Sequence, residues 1–381
     1  MNYIKQLDSV RAIAVFLVII WHWVPRNSLT ENLHSGSFGV DIFFVLSGFL
    51  ITQMLLVDRN KTGELKAGTG TVLKNFYARR ILRIFPIYYL AVLLTSLLSA
   101  SFDFNVTKGE LISNLTYTSN FFIYQHKAWP VATIHFWSLA VEEQFYLVWP
   151  LLILFLPKKS LLPAILFCIG LGVLSQLLST DQEFGHLPTY TCLDALGIGG
   201  LIAFLFTYHR PLLHLYHKQL NIAAALCFGL ILANCLFHYY IPFARLLHSI
   251  IAAWLINHIL LYREKKSFLN WVLNSEPLTR IGKVSYGMYV YHMLYVFVAG
   301  ELWYKFIFDH YSSYINKQLE PWIFLLINFF LLYFIAWMSW RFIERPFLSL
   351  KSYFRREPAR GNVKEHSPSS RTKVHFAEVP D

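Results

Sequence analysis

Runs of about twenty apolar residues recur from one end of this 381-residue chain to the other, and few folds accommodate that pattern. Twenty residues of helix span about 30 Å, the hydrocarbon thickness of a bilayer. A backbone crossing lipid must satisfy its own hydrogen bonds, so segments of this composition cross as helices. Ten spans fall at roughly 8–25, 38–57, 81–101, 136–157, 161–179, 190–208, 219–237, 241–261, 284–304 and 321–342. The fold class is therefore all-α, a polytopic integral membrane bundle of about ten transmembrane helices. Charge content agrees. Only 14% of the residues are charged, against about 25% in soluble domains, too few to cover a water-soluble surface of this size. Aromatic residues make up 17%, which suits lipid-facing helices and interfacial belts.

A net charge of +11 raises the question of nucleic acid, and the placement of the charge answers it. With a cytoplasmic N-terminus, 26 of the 33 Lys and Arg residues fall on inside segments and six on outside ones, with Arg11 inside the first span. The opposite orientation reverses that asymmetry, so the positive-inside rule puts both termini in the cytoplasm. The basic residues are a topology signal and imply no nucleic-acid partner. Cys168, Cys192, Cys227 and Cys235 lie inside apolar runs without zinc-site spacing and read as small apolar fillers; no metal is expected. The first apolar run contains Arg11 and lacks a small-residue cleavage pattern, so it reads as a retained helix. In the loop near 102–135, the run Leu111 to Tyr124 is too short and too polar to span and reads as a re-entrant or interfacial helix. Residues 1–348 form the membrane domain, and residues 349–381, polar and rich in Pro and Ser, read as a disordered cytoplasmic tail.

An ionisable side chain within a span costs about 2.5–3.5 kcal/mol on insertion scales, which makes each one a candidate for function. The first span, LDSVRAIAVFLVIIWHW, carries Arg11 and His22. Eleven steps of about 100° end about 20° past three full turns, so both share one helix face about 16 Å apart. Asp8, three residues before Arg11, can pair with it. The alternative is that each side chain snorkels to the headgroups at its own end. In GVDIFFVLSGFLIT, Asp41 begins the second span and serves either a site or a cap, while Ser47–Gly48 is either functional or a packing notch. In FYARRILRIFPIYYL, Arg79, Arg80 and Arg83 stand at the cytoplasmic entrance to the third span. Arg80 and Arg83 share a face and can clamp an anion such as a diphosphate, or act as an ordinary positive-inside anchor. In HFWSLAVEEQFYLVWP, Glu142 and Glu143 point about 100° apart, so only one can face a given polar cavity. His135 stands just outside that span. Asp194 and its glycines read as cavity lining, His292 as a bond to a neighbouring helix, and Glu344 as a partner of Arg341 or Arg345.

In this order and spacing the chain resembles the acyltransferase-3 family of polytopic membrane acyltransferases, which includes O-acetyltransferases of lipopolysaccharide O-antigen and other glycans. The resemblance runs from about residue 3 to 348. It rests on Arg11 with His22 and on GVDIFFVLSGFLIT, RRILRIFPIYYL and HFWSLAVEEQFYLVWP, followed by LDALGIGG, VSYGMYVYH and IERPF. It implies an enzyme of the bacterial inner membrane whose acyltransferase domain covers 1–348. Such an enzyme takes an acyl group, acetyl foremost, from cytoplasmic acetyl-CoA or a similar thioester. It passes that group to a hydroxyl of a cell-surface glycan or lipid-linked saccharide. The resemblance further implies His22 as the catalytic histidine, Arg11 as its partner, Glu142 as the carboxylate of the WSL-type motif, and Arg80 and Arg83 as the paired arginines on the CoA phosphates. Some members add an extracytoplasmic SGNH-type transfer domain; none is recognisable here, so the membrane domain is expected to acylate the acceptor itself. Members also modify macrolides. On the residues alone the competing class is a proton-coupled secondary transporter, which ten spans and buried His and Glu also suit. The lack of an internal repeat and of paired Gly- or Pro-broken spans argues against it.

Overall fold

The computed structural model describes residues 3–24, 35–64, 68–99, 101–102, 106–237, 241–303 and 320–354. All but the start of the expected tail, residues 355–381, lies outside the described residues. Among those described, nine helices are long and apolar enough to cross a membrane. The tenth expected span, 284–304, falls on a 28-residue helix, Glu276–Trp303, whose first half is more polar than the rest. In chain order the helices are α1 (Lys5–Trp23), α2 (Ser35–Glu64), α3 (Thr69–Leu98), the short α4 (Lys108–Leu115) and α5 (Ser119–His126), α6 (Phe136–Phe155) and α7 (Lys158–Leu178). There follow α8 (Leu193–Tyr208), the short α9 (Arg210–Leu215), α10 (His217–Phe237), α11 (Ala244–Tyr262), the short α12 (Phe268–Leu273), α13 (Glu276–Trp303) and α14 (Glu320–Ser339). A π-helical turn at Trp340–Glu344 joins α14 to α15 (Arg345–Ser349), and helical structure continues through Phe354, past the boundary expected at 348.

Two expectations are refined. The third span was placed at 81–101, yet α3 begins at Thr69. Its polar first turns extend the helix beyond the apolar stretch, so Arg79, Arg80 and Arg83 stand within the helix, about the start of its apolar part. The run 111–124 forms two helices, α4 and α5, separated by Tyr117 in a left-handed conformation at φ 53°. At eight residues each they are far too short to span, and they fold onto the bundle. Tyr88 Oη donates to the Asn114 carbonyl at 2.8 Å, and Gln144 Nε2 donates to that of Tyr117 at 2.7 Å.

α2 is the central helix. It packs against α1, α6, α8 and α11. Small residues let its backbone approach α8 closely. A Cβ on Gly48 would stand 1.9 Å from the Leu196 carbonyl oxygen, and one on Gly199 would stand 2.1 Å from that of Val45. Trp149 Nε1 donates to Thr52 Oγ1 at 2.7 Å, joining α6 to α2. α1 runs alongside α13. Ser9 Oγ donates to the Leu273 carbonyl at 2.7 Å near one end, and Trp23 Nε1 to the His292 carbonyl at 3.2 Å near the other. Tyr3 and Ile4 line a cavity with Leu348 and Lys351, so the first and last described segments share one end of the bundle, here termed the terminal end.

The α2–α8 contact yields a stability test. Gly48→Val forces two backbones apart and is expected to destabilise the protein by about 1–3 kcal/mol, read as a lower thermal midpoint in detergent. Gly170→Val is the control, because a Cβ there meets nothing within 4 Å. Equal midpoints for the two variants would refute the close approach.

Candidate active site

At the terminal end, α1, α2, α3, α6 and α13 surround a cavity of about 490 Å³. Arg11, Arg80, Arg83 and Glu142 all line it, together with Ser47 and Tyr146. Four of the five residues named from the sequence thus meet in one space. Each is carried there by a different register: Arg11 two turns into α1, the arginine pair on one face of α3, and Glu142 in the second turn of α6. The Asp8 pairing with Arg11 is present at 2.5 Å. Arg79 pairs with Asp58 at 3.3 Å.

Arg80 and Arg83 differ from these two. Among the described residues neither makes an ion pair, although both are half-buried. The guanidinium of Arg80 lies 5.3 Å from the centre of the Tyr146 ring and 5.8 Å from that of Phe76, which orients it without neutralising it. A neighbouring cavity of about 460 Å³ shares Arg11, Arg83 and Tyr286 with the first and adds Lys283 and Lys351. The two meet at Arg11 and Arg83, and their joint lining holds five basic side chains against the four carboxylates Asp8, Asp58, Glu142 and Glu344.

Glu142 is held by a polar triangle. Ser47 Oγ donates to Glu142 Oε1 at 2.7 Å, and Tyr146 Oη lies 3.2 Å from Oε2 and 3.0 Å from Ser47 Oγ. Ser47 therefore does more than provide a packing notch. Glu143 does not line the cavity, as the 100° rotation between neighbours requires.

His22, in the last turn of α1, does not line this cavity. It belongs to a layer of three imidazoles just beyond. Its Nδ1 lies 2.9 Å from the Val18 carbonyl oxygen and 3.3 Å from His292 Nε2, and the two rings are 5.0 Å apart. His292 Nδ1 donates to the Tyr289 carbonyl at 2.6 Å, and the His135 ring stands 4.5 Å from that of His292. Tyr289 connects the layer to the cavity. Its hydroxyl lies 2.5 Å from Ser138 Oγ, both residues line the cavity, and its ring is 5.5 Å from that of His292. The His22 ring is turned toward α13. His292 bonds a neighbouring helix as expected.

Other candidates fall elsewhere. Asp194 is fully buried, takes a bond from Gln176 Nε2 at 2.8 Å, and lines neither cavity of the terminal end. Tight packing on Gly172 replaces the cavity expected around it. Glu344 is buried with Oε1 unbonded. Asp41 joins a pair that the sequence did not single out as site residues, Arg245 and His248. No spacing rule links either residue to a partner some two hundred positions away. Among the described residues no group of three or more His, Cys, Asp or Glu could hold a metal ion.

The chain is 34% identical over 321 residues to the peptidoglycan O-acetyltransferase OatA of Listeria monocytogenes, a match covering 76% of this chain and 49% of that protein. It is 32% identical over 323 residues to the putative peptidoglycan O-acetyltransferase YrhL of Bacillus subtilis, covering 76% and 48%. To the O-acetyltransferase OatA of Staphylococcus aureus it is 29% identical over 381 residues, covering 91% and 57%. The chain thus spans about half the length of the curated relatives it matches. No solved structure matches it. The acyltransferase-3 model, described as an acyltransferase domain, matches residues 4–341, and the chain belongs to that family.

Proposed function

We propose that this protein is a membrane O-acetyltransferase that draws acetyl groups from acetyl-CoA at the terminal end of the bundle and delivers them to a hydroxyl of a cell-surface glycan or lipid-linked saccharide. The observation that carries this reading is the cavity in which two half-buried, unpaired arginines stand beside Arg11 and Glu142. No described carboxylate lies within ion-pair distance of Arg80 or Arg83, and a CoA diphosphate would reach both through charge-assisted hydrogen bonds. The names of the relatives support acetyl as the group and a glycan as the acceptor class. The 26-to-six distribution of basic residues supports a cytoplasmic terminal end, hence a bacterial cytoplasmic membrane with the acceptor outside.

In this reading the thioester rises from the basic cavity toward the Tyr289–His292–His22 layer. A carbonyl oxygen only accepts, so the contact with Val18 assigns the proton of neutral His22 to Nδ1 and the lone pair to Nε2. The acceptor oxygen attacks the thioester carbonyl as its proton passes to Nε2, the imidazole nitrogen that acts as general base. The carbon–sulfur bond then breaks, and the CoA thiolate takes up the proton. Glu142, oriented by Ser47 and Tyr146, and Arg11, held by Asp8, fix the polar floor under the reacting arm. Transport, the competing class, calls for no unpaired arginine pair of this kind, and the family match favours transfer.

His22→Ala is expected to lower acetyl transfer by about a hundredfold to ten-thousandfold while leaving the protein folded and acetyl-CoA bound, measured with labelled acetyl-CoA and purified protein. Full activity in that variant removes His22 from the chemistry. The double variant Arg80→Met, Arg83→Met is expected to weaken acetyl-CoA binding by about tenfold or more. Unaltered affinity in a variant that still folds removes both arginines from the donor site.

A further inference from the structure

A second cavity, of about 270 Å³, lies at the far end of the bundle and plays no part in the reading above. The first turns of α2 and α11, the last turn of α7 and the connection 179–188 enclose it. Its wall holds an ordered polar network. Arg245 Nε donates to Asp41 Oδ1 at 3.0 Å, Nη1 to the Thr191 carbonyl at 2.8 Å, and Nη2 to the His186 carbonyl at 2.9 Å. His248 Nδ1 donates to Asp41 Oδ2 at 2.8 Å. The Phe38 ring stacks on His248 at 4.7 Å and fixes its plane.

This network leaves one atom unused. A carboxylate can only accept, so the Nδ1 of His248 carries the proton and its Nε2 presents a lone pair. His248 is 3% exposed and lines the cavity, and its hydrogen bond among the described residues is that of Nδ1 to Asp41, which leaves Nε2 for a ligand. A ligand that gives a proton into a hydrogen bond there completes the site.

Charge selects the kind of ligand. Asp41 is matched by Arg245, and Asp181 on the rim pairs with Lys127. Burial and the Arg245 guanidinium push the His186 imidazole down to about 3, so it adds no charge at neutral pH. The cavity therefore carries no net field to hold an anion, in contrast to the arginine cavity. The Trp137 indole offers an apolar wall, the type of surface that takes the C–H face of a sugar ring, and the Gln182 amide stands at the rim. The volume lies just below the usual range for small-ligand sites, room for a sugar ring and not for a nucleotide. Position agrees with this. Val40 lines both cavities, and Trp137 here is the chain neighbour of Ser138 there.

We propose that this far-end cavity is the acceptor subsite, in which a neutral saccharide lies on Trp137 and donates one hydroxyl hydrogen to His248 Nε2. The assignment as acceptor site rests on the transfer reading; the saccharide site itself does not.

The test uses the full chain purified in detergent, with chitopentaose and maltopentaose as probes and titration calorimetry as the readout. Ser37 is exposed on the lip of the cavity, so Ser37→Trp plugs it without touching the Asp41 network. Chitopentaose or maltopentaose is expected to bind the unaltered protein, with Kd raised about tenfold or more in Ser37→Trp and in His248→Phe. Acetyl-CoA affinity should stay within about twofold of the unaltered protein. Absence of binding by either saccharide, or a Kd unchanged in Ser37→Trp, overturns the site. If His248→Phe fails to fold, Ser37→Trp decides alone. Saccharide binding that responds to Ser37→Trp in a protein that binds no acetyl-CoA sustains the sugar site and refutes the donor reading.

Discussion

A charge among apolar helices persists where a counter-charge, a set of hydrogen bonds or a wet cavity meets it, and the two ends of this bundle meet that requirement differently. At the far end Arg245 is matched internally, with Asp41 and two backbone carbonyls around its guanidinium. Removing any one of those partners strands a buried group, so the network fixes the relative placement of α2, α11 and the 179–188 connection. At the terminal end Arg80 and Arg83 have no such match among the described residues and open onto a cavity instead. Their positive field is available to a ligand. The two cavities thus differ in how their arginines are met, by an ion pair at Arg245 and by none among the described residues at Arg80 and Arg83.

α2 is the element that relates these two ends. Asp41 near its start belongs to the far cavity, Ser47 in its middle supports Glu142, and Gln53 and Asp58 near its end line the terminal cavity. The close approach at Gly48 and Gly199 makes α8 a rigid backing for that helix. Trp149 on Thr52 locks α6 in register beside it. Because Val40 faces both cavities, the separation between them is set by one side chain and the Trp137–Ser138 backbone, not by a flexible loop. A transfer reaction between sites on opposite faces of a membrane needs such a short, stiff partition.

Much of this was legible in the sequence, and the limits follow from the range of the rules used. Hydropathy identifies spans because each helix must meet lipid by itself, and the three-residue step from Asp8 to Arg11 is local geometry. The Arg80–Arg83 face and the choice between Glu142 and Glu143 are equally local. Relations between helices are not. Nothing in α2 announces that Asp41 meets Arg245 and His248, since the pairing depends on the crossing of α2 and α11. Ser47 reads as a notch until α6 is in place to supply Glu142. That α3 begins at Thr69, before the apolar stretch at 81–101, has a related reason: hydropathy marks the apolar part of a helix, not the end of its hydrogen bonding.

The imidazole layer shows how such crossings add chemistry that no single helix holds. Three backbone carbonyls, of Val18, Tyr289 and Val290, each lie within hydrogen-bond distance of one ring nitrogen, on His22, His292 and His135 respectively. As carbonyls accept only, the protons are assigned to Nδ1 of His22, Nδ1 of His292 and Nε2 of His135. His292 Nε2 is then an acceptor 3.3 Å from the protonated nitrogen of His22, so two acceptors hold that ring in one tautomer. The orientation proposed for His22 is thereby supported by α13 and by the backbone of α1. Glu142, on the cavity side of Tyr289, is left to act on whatever enters from the arginines.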